Sequence, residues 1–214
     1  MGFIFPSIST NKSLINSTHI IITLGTSWVY RLKESGLAVA NCHKVPKHKF
    51  RKELLSIAEI IESLAVIISL IKEINPTTNF IFTVSPVRHI KDGFIENQQS
   101  KAHLISALHQ IIKFHENSFY FPSYEIMMDE LRDYRFYKED MIHPNNIAVN
   151  YIWEKLSKKW FSDETLQTTE QIQKIQKNLD HKPFNSESLL HEKFIKSTEQ
   201  KIKKLQEKLP HIFF

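Results

Sequence analysis

The segment Glu139-Asp140-Met141-Ile142-His143-Pro144-Asn145 holds the residue types that acid–base chemistry needs, at a spacing that lets them meet. An Asp three residues ahead of a His on a loop can turn back to the imidazole Nδ1. It then fixes the tautomer and stabilises the imidazolium formed when Nε2 takes a proton. On this reading His143 is a general base and Asp140 its orienter. An isolated Asp-x-x-His is equally compatible with a helix cap or a solvated Asp140, and with a structural His143. Pro144 is a helix-start residue, and the pattern predicts a closing helix over 145–161 directly behind the loop.

Other elements must hold such a loop in place. His19–Leu24 is a continuous apolar, β-branched run ending at Gly25, the pattern of a strand buried on both faces. Phe80–Val84 is a second such strand, and Phe119–Pro122 a third, shorter one. Leu37–Asn41 reads as a short extended piece. Between the strands, Leu54–Ile74 repeats apolar residues at helical spacing, with Ile57, Ile60, Ile61, Leu64, Ile68 and Ile71 on one face. Asn75-Pro76 stops that helix, and Glu96–His115 is helical again. Strand and helix in alternation predict an α/β domain, a parallel sheet flanked by helices. Ligands of such sheets sit beyond the carboxyl ends of the strands.

That rule singles out Gly25-Thr26-Ser27, Ser85 to His89, and Ser123-Tyr124-Glu125. Backbone amides after Gly25 could donate to an oxyanion, or the glycine could simply serve a tight turn. Ser27 and Ser85 sit just past strand ends, but Ser85 precedes Pro86 and suits a turn, so both are weak nucleophile candidates. Asn41 could donate its side-chain amide to an oxyanion or substrate. Arg88 and His89 could bind an acidic or polar substrate group; a salt bridge to Asp92, Glu96 or Asp129 is the alternative for them. Cys42 and His43 are adjacent on an extended piece and point to opposite faces, which does not make a nucleophile–base pair. Trp28, Tyr30, Tyr134, Phe136 and Tyr137 lie near the rim, as pocket lining for a sugar or acyl chain or as ordinary packing.

Composition narrows the class. The 214 residues carry a net charge of +5, 42% hydrophobic and 24% charged residues, an ordinary globular balance. Acids interleave with the basic residues throughout, so the concentrated stripe that nucleic-acid binding needs is missing. The longest apolar stretch, Ile57–Ile74, holds Glu59, Glu62, Lys72 and Glu73 and is too interrupted to span a bilayer. The first residues make a poor signal peptide. With one cysteine, Cys42, no internal disulfide is possible, and a cytoplasmic setting is expected. The eleven histidines show no zinc-enzyme spacing, and His43 and His48 read as surface residues. After Ser162 two helical stretches rich in Lys, Gln and Glu follow, about 164–179 and 187–209, with a thin apolar stripe. The expected organisation is a domain over 1–162 and a helical extension over 163–214.

Several longer strings resemble the GSCFA family. They include Leu24-Gly25-Thr26-Ser27-Trp28, Asn41-Cys42-His43-Lys44, Ser85-Pro86-Val87-Arg88-His89, Ser100-Lys101-Ala102 and Asp129-Glu130-Leu131-Arg132-Asp133-Tyr134. Asp140-Met141-Ile142-His143-Pro144 and the tail motif His181-Lys182-Pro183-Phe184-Asn185 belong to the same set, and the resemblance runs from about His19 to His211. An Asp-x-x-His before the last helix of a parallel α/β domain is also how SGNH (GDSL-type) hydrolases present their base. The resemblance implies a three-layer, flavodoxin-like (SGNH-hydrolase-like) fold in a bacterial protein. The implied chemistry is ester or acyl hydrolysis by a Ser nucleophile, a His base and an Asp, on a small-molecule or acylated substrate. No metal or organic cofactor is implied.

The sequence departs from the family in one respect. The Gly-Ser-Cys-Phe-Ala string, whose Ser follows the first strand and is the presumed nucleophile, is absent here. The expectation is an N-terminally truncated fold that keeps Asp140 and His143. Either another segment supplies the nucleophile, or the chain is a non-catalytic scaffold or interaction protein. In the family's strand order the missing strand lies beside 20–24. Its absence would leave an apolar backbone edge through which two copies could self-associate.

Overall fold

The computed structural model describes residues 13–39, 45–181, 183 and 188–214. Three strands, β1 (His19–Leu24), β5 (Asn79–Val84) and β6 (Ser118–Phe121), form a parallel sheet in the order β1-β5-β6. Ile20 pairs with Phe80 and Leu24 with Val84, while Thr83 pairs with Phe121, so the carboxyl ends of all three strands meet at one edge. A second, antiparallel sheet of β2 (Trp28–Leu32), β3 (Ala38–Val39) and β4 (Phe50–Leu54) runs in the order β3-β2-β4. Sequence reasoning placed only an extended piece at 37–41 and did not foresee β2 or β4, because Phe50-Arg51-Lys52-Glu53-Leu54 is largely charged. Its strand character comes from pairing with β2, where Tyr30 faces Lys52 across the register.

Helix α1 (Ile57–Ile74) starts at a capping box: the Glu59 amide donates to Ser56 Oγ (3.3 Å), and the Ser56 amide donates back to Glu59 Oε2 (2.9 Å). Helix α2 (Phe94–Ile111) follows Gly93, whose φ of 108° is a backbone conformation that residues with a side chain rarely adopt. Ile60, Leu64 and Ile68 of α1 and Leu104, Leu108 and Ile111 of α2 pack on Phe80, Phe82 and Val84 of β5 to form the core. Full burial of each such side chain stabilises the fold by about 1.5–3 kcal/mol. The helical face expected of α1 is the one that is buried.

β5 is buried on both faces, β1 on one. Ile20, Ile22 and Leu24 pack against the core, whereas Ile21 on the opposite face is 49% exposed. This corrects the reading of His19–Leu24 as buried throughout. The strand stands at the sheet edge, and nothing among the described residues pairs with its outer side. After β6, α3 (Ser123–Glu125) widens into a π turn over Ile126–Leu131 and ends at Arg132 with φ 55°.

The chain divides into two units between Trp153 and Glu154, within α4 (Asn146–Trp160). In the second, α5 (Asp163–Leu179) and α6 (Leu189–Lys208) pair through buried Ile175, Thr198 and Leu205, and Asn178 donates to Thr198 Oγ1 (3.2 Å). No helix among the described residues is long and apolar enough to cross a membrane.

Candidate active site

The loop between the π turn and α4 is held by its own backbone. Lys138 donates to His143 O (2.8 Å), Met141 adopts a φ of 57°, and Asn145 donates to Phe136 O (2.8 Å). Asn145 caps α4: its Oδ1 accepts from Ile147 and Ala148 at 3.1 Å each. Asp140 is therefore not the cap. Its Oδ1 accepts from the amides of Ile142 (2.9 Å) and His143 (3.0 Å), and its Oδ2 lies 2.6 Å from His143 Nδ1. The amide and ring of His143, then the Ile142 amide, hold the Asp140 carboxyl well below the usual carboxylate range. An ionised carboxylate only accepts, so Nδ1 carries a proton, and in the neutral imidazole this leaves the lone pair on Nε2. Nε2 has no partner among the described residues.

The loop after β5 closes the other side. Its Arg88 amide donates to Ile142 O (3.2 Å) and Arg88 Nη1 to Met141 O (2.8 Å), tying it to the His143 loop. The His89 amide donates to Asn97 Oδ1 (2.8 Å). Beneath both, Lys101 of α2 is 1% exposed and donates to Gly25 O and Ser85 O at 2.6 Å each. It clamps the ends of β1 and β5 together, with Nζ 5.6 Å from the Tyr124 ring centre. Burial pushes its amine down to about 8. Ser100, one residue earlier, accepts from the Ser27 amide (2.8 Å) and lies 2.9 Å from Thr26 Oγ1.

These loops and the second sheet enclose a cavity of about 430 Å³, lined by Thr26, Trp28, Tyr30, Lys52, His89 and His143 among others. Lys52 pairs with Asp92 and sits 5.0 Å from the Trp28 ring centre. Burial, followed by the nearby Lys101, holds the His89 imidazole below its ordinary value against the opposing pull of Asp92. This favours the neutral imidazole of His89, which is packed where a side chain at Gly25 would come within 3.4 Å of Nε2. Among the described residues no group of three or more His, Cys, Asp or Glu is placed to hold a metal ion.

A model of the GSCFA family matches residues 7–156, and that of the GSCFA domain protein, C-terminal domain, matches 172–214. The chain belongs to the GSCFA family. Comparison with curated proteins finds no match.

In this GSCFA chain the fold brings His143, Arg88 and His89 to one cavity, with Asp140 bonded to His143 and not itself lining it. Gly25 lies against His89. Ser27 is turned inward, 1% exposed, with its hydroxyl donating to Ser100 O (3.1 Å). Ser85 Oγ accepts from the Val87 amide (3.2 Å), the geometry of a turn, and Ser85 does not line the cavity. Asn41, Cys42 and His43 lie outside the described residues. Arg88 forms no ion pair among the described residues; Asp92 instead engages Lys52. Sequence reasoning missed Asn97, Ser100 and Lys101 as builders of the rim. Their signal is positional: at helical spacing they continue the buried stripe of Leu104, Leu108 and Ile111, where polar side chains need dedicated partners.

Proposed function

We propose that this GSCFA chain carries the base side of an SGNH-type site for ester or acylated substrates, on a three-layer, flavodoxin-like fold. One observation carries the reading: an imidazole oriented by an ionised carboxylate at 2.6 Å, its Nε2 without a partner among the described residues, beside a cavity at the carboxyl end of a parallel sheet. In the proposed step His143 Nε2 takes the proton of an attacking hydroxyl as its oxygen bonds to the acyl carbon. Asp140 stabilises the imidazolium. Collapse of the tetrahedral intermediate breaks the acyl–oxygen bond, and His143 returns the proton to the leaving alkoxide. Of the amides after Gly25, those of Ser27 and Trp28 are taken by Ser100 Oγ and Thr26 Oγ1, so the Thr26 amide and the Asn41 side-chain amide are the proposed oxyanion donors. A reducing, cytoplasmic setting fits the single cysteine.

A second reading, a non-catalytic scaffold or interaction protein, is favoured by the cavity's hydroxyls. Among the described residues lining it only Thr26 and Tyr30 carry one, and Thr26 Oγ1 is engaged by Ser100. A fluorophosphonate probe, with the modified residue located by mass spectrometry, separates the two. Labelling of a hydroxyl that is lost in His143→Ala supports the hydrolase. Neither labelling nor turnover of aryl acetates by a folded sample makes the scaffold the correct reading.

A further inference from the structure

Arg88 is the shared wall of two cavities. One side faces the His143 cavity; the other faces a second cavity of about 350 Å³, lined by Phe94, Gln98, Tyr124, Met127, Tyr134 and Tyr137 among others. The guanidinium carbon lies 5.7 Å from the ring centres of Phe94 and Tyr137 and 5.9 Å from that of Tyr134. The cation thus lies over three aromatic ring faces, which attract it through their quadrupoles. Of its side-chain donors, Nη1 reaches Met141 O, whereas Nε and Nη2 meet no acceptor among the described residues. The neighbouring acids are engaged elsewhere, Asp133 with Arg135 (3.1 Å) and Asp92 with Lys52. Phe94 is 67% and Tyr134 63% exposed, so the aromatic rim is open to a ligand.

A guanidinium held among aromatic rings, with a forked Nε/Nη2 edge that meets no acceptor and no carboxylate among the described residues, is built to receive an oxyanion through two parallel hydrogen bonds. The aromatic and thioether lining around it suits a ring-sized apolar body, and the volume falls in the usual range of small-ligand pockets. We propose that the tyrosine-lined cavity is an oxyanion-recognition subsite anchored by Arg88, for a carboxylate or phosphate carried on a compact ring. Because Arg88 also borders the His143 cavity, an anion held there directs the rest of the molecule towards Nε2. The substrates hydrolysed at His143 are then acidic esters or acyl compounds. This second part rests on the hydrolase reading; the subsite itself does not.

Binding of benzoate, phenyl phosphate and neutral benzamide, followed by NMR shift titration on the full chain, tests the subsite without requiring turnover. Benzoate or phenyl phosphate is expected to bind in the millimolar range, and whichever is tighter identifies the anion as carboxylate or phosphate. Benzamide should bind at least about tenfold more weakly. Arg88→Gln should weaken the anions by about tenfold or more, and Arg88→Lys, which keeps the charge but not the fork, by less. His143→Ala should leave binding intact; binding of the anions by wild type that turns over no aryl ester faults the hydrolase reading and supports the subsite. Equal binding of benzamide, unchanged affinity in both Arg88 variants, or no binding of any probe at roughly 10 mM overturns the proposal.

Discussion

Replacing Lys101 by Met should change how stability depends on pH, and the structure sets the size of the change. The amine is buried, has no carboxylate partner among the described residues and donates to Gly25 O and Ser85 O. Burial lowers it from an ordinary 10.5 to about 8. Between those values the unfolded chain holds a proton that the folded chain has released, so stability rises with pH across the window. Each pH unit contributes about 1.4 kcal/mol, which gives about 3 kcal/mol between pH 8 and 10.5. The neutral amine still donates to both carbonyls, so the clamp survives deprotonation. Lys101→Met strands two buried acceptors at about 1–3 kcal/mol each, offset at neutral pH by relief of the buried charge. The stability difference between wild type and Lys101→Met should therefore be small near pH 7 and widen by about 3 kcal/mol by pH 10.5. Urea titrations over this range would measure it, read at Trp28, whose indole donates to Glu96 O (3.3 Å), with Trp153 and Trp160 replaced by Phe. Other titrating groups cancel in the difference. A constant difference from pH 7 to 10.5 refutes the reasoning, since it would mean that the folded chain keeps this amine charged.

Phe82 is fully buried and stacks on Phe80 at 5.9 Å; Phe82→Ala should cost about 3–5 kcal/mol in denaturant unfolding. Asp140 has a depressed carboxyl, so its contribution is complete above the ordinary value of 3.8 and is lost as pH falls through the lower folded value. The stability gap between wild type and Asp140→Asn should close on acidification below that value, and acid titration by circular dichroism checks this. The outer edge of β1, with exposed Ile21, is the proposed surface for self-association. Ile21→Lys should then shift the sedimentation profile towards monomer, and an unchanged profile counts against that edge.

What was legible in the sequence follows from where the physics is local. The Asp140–His143 pair lies within one loop, so three-residue spacing alone lets the carboxylate reach both the ring and the amides. The core face of α1 and the buried β5 follow from apolar periodicity, which burial imposes directly. The clamp of Lys101 on Gly25 and Ser85 joins residues 76 and 16 positions apart and depends on strand register, which no local pattern encodes. β4 escaped notice because its alternation is carried by charged side chains, and Lys52 reads as a surface residue until Tyr30 and Trp28 are set opposite it. Ser27 looks like a rim serine from its place after β1, yet Ser100 draws it inward through a contact 73 residues away. The half-exposure of Ile21 was hidden for a different reason: apolar content shows what a strand can bury, and only sheet order shows which face has a neighbour.

The central claim, that His143 oriented by Asp140 is a general base, is tested most directly by initial rates of 4-nitrophenyl acetate hydrolysis. Wild type, His143→Ala and Asp140→Asn would be compared at matched melting temperature. The account predicts turnover above the buffer rate that falls by about a hundredfold or more in His143→Ala, and by a smaller factor in Asp140→Asn. Equal rates in wild type and His143→Ala would contradict it.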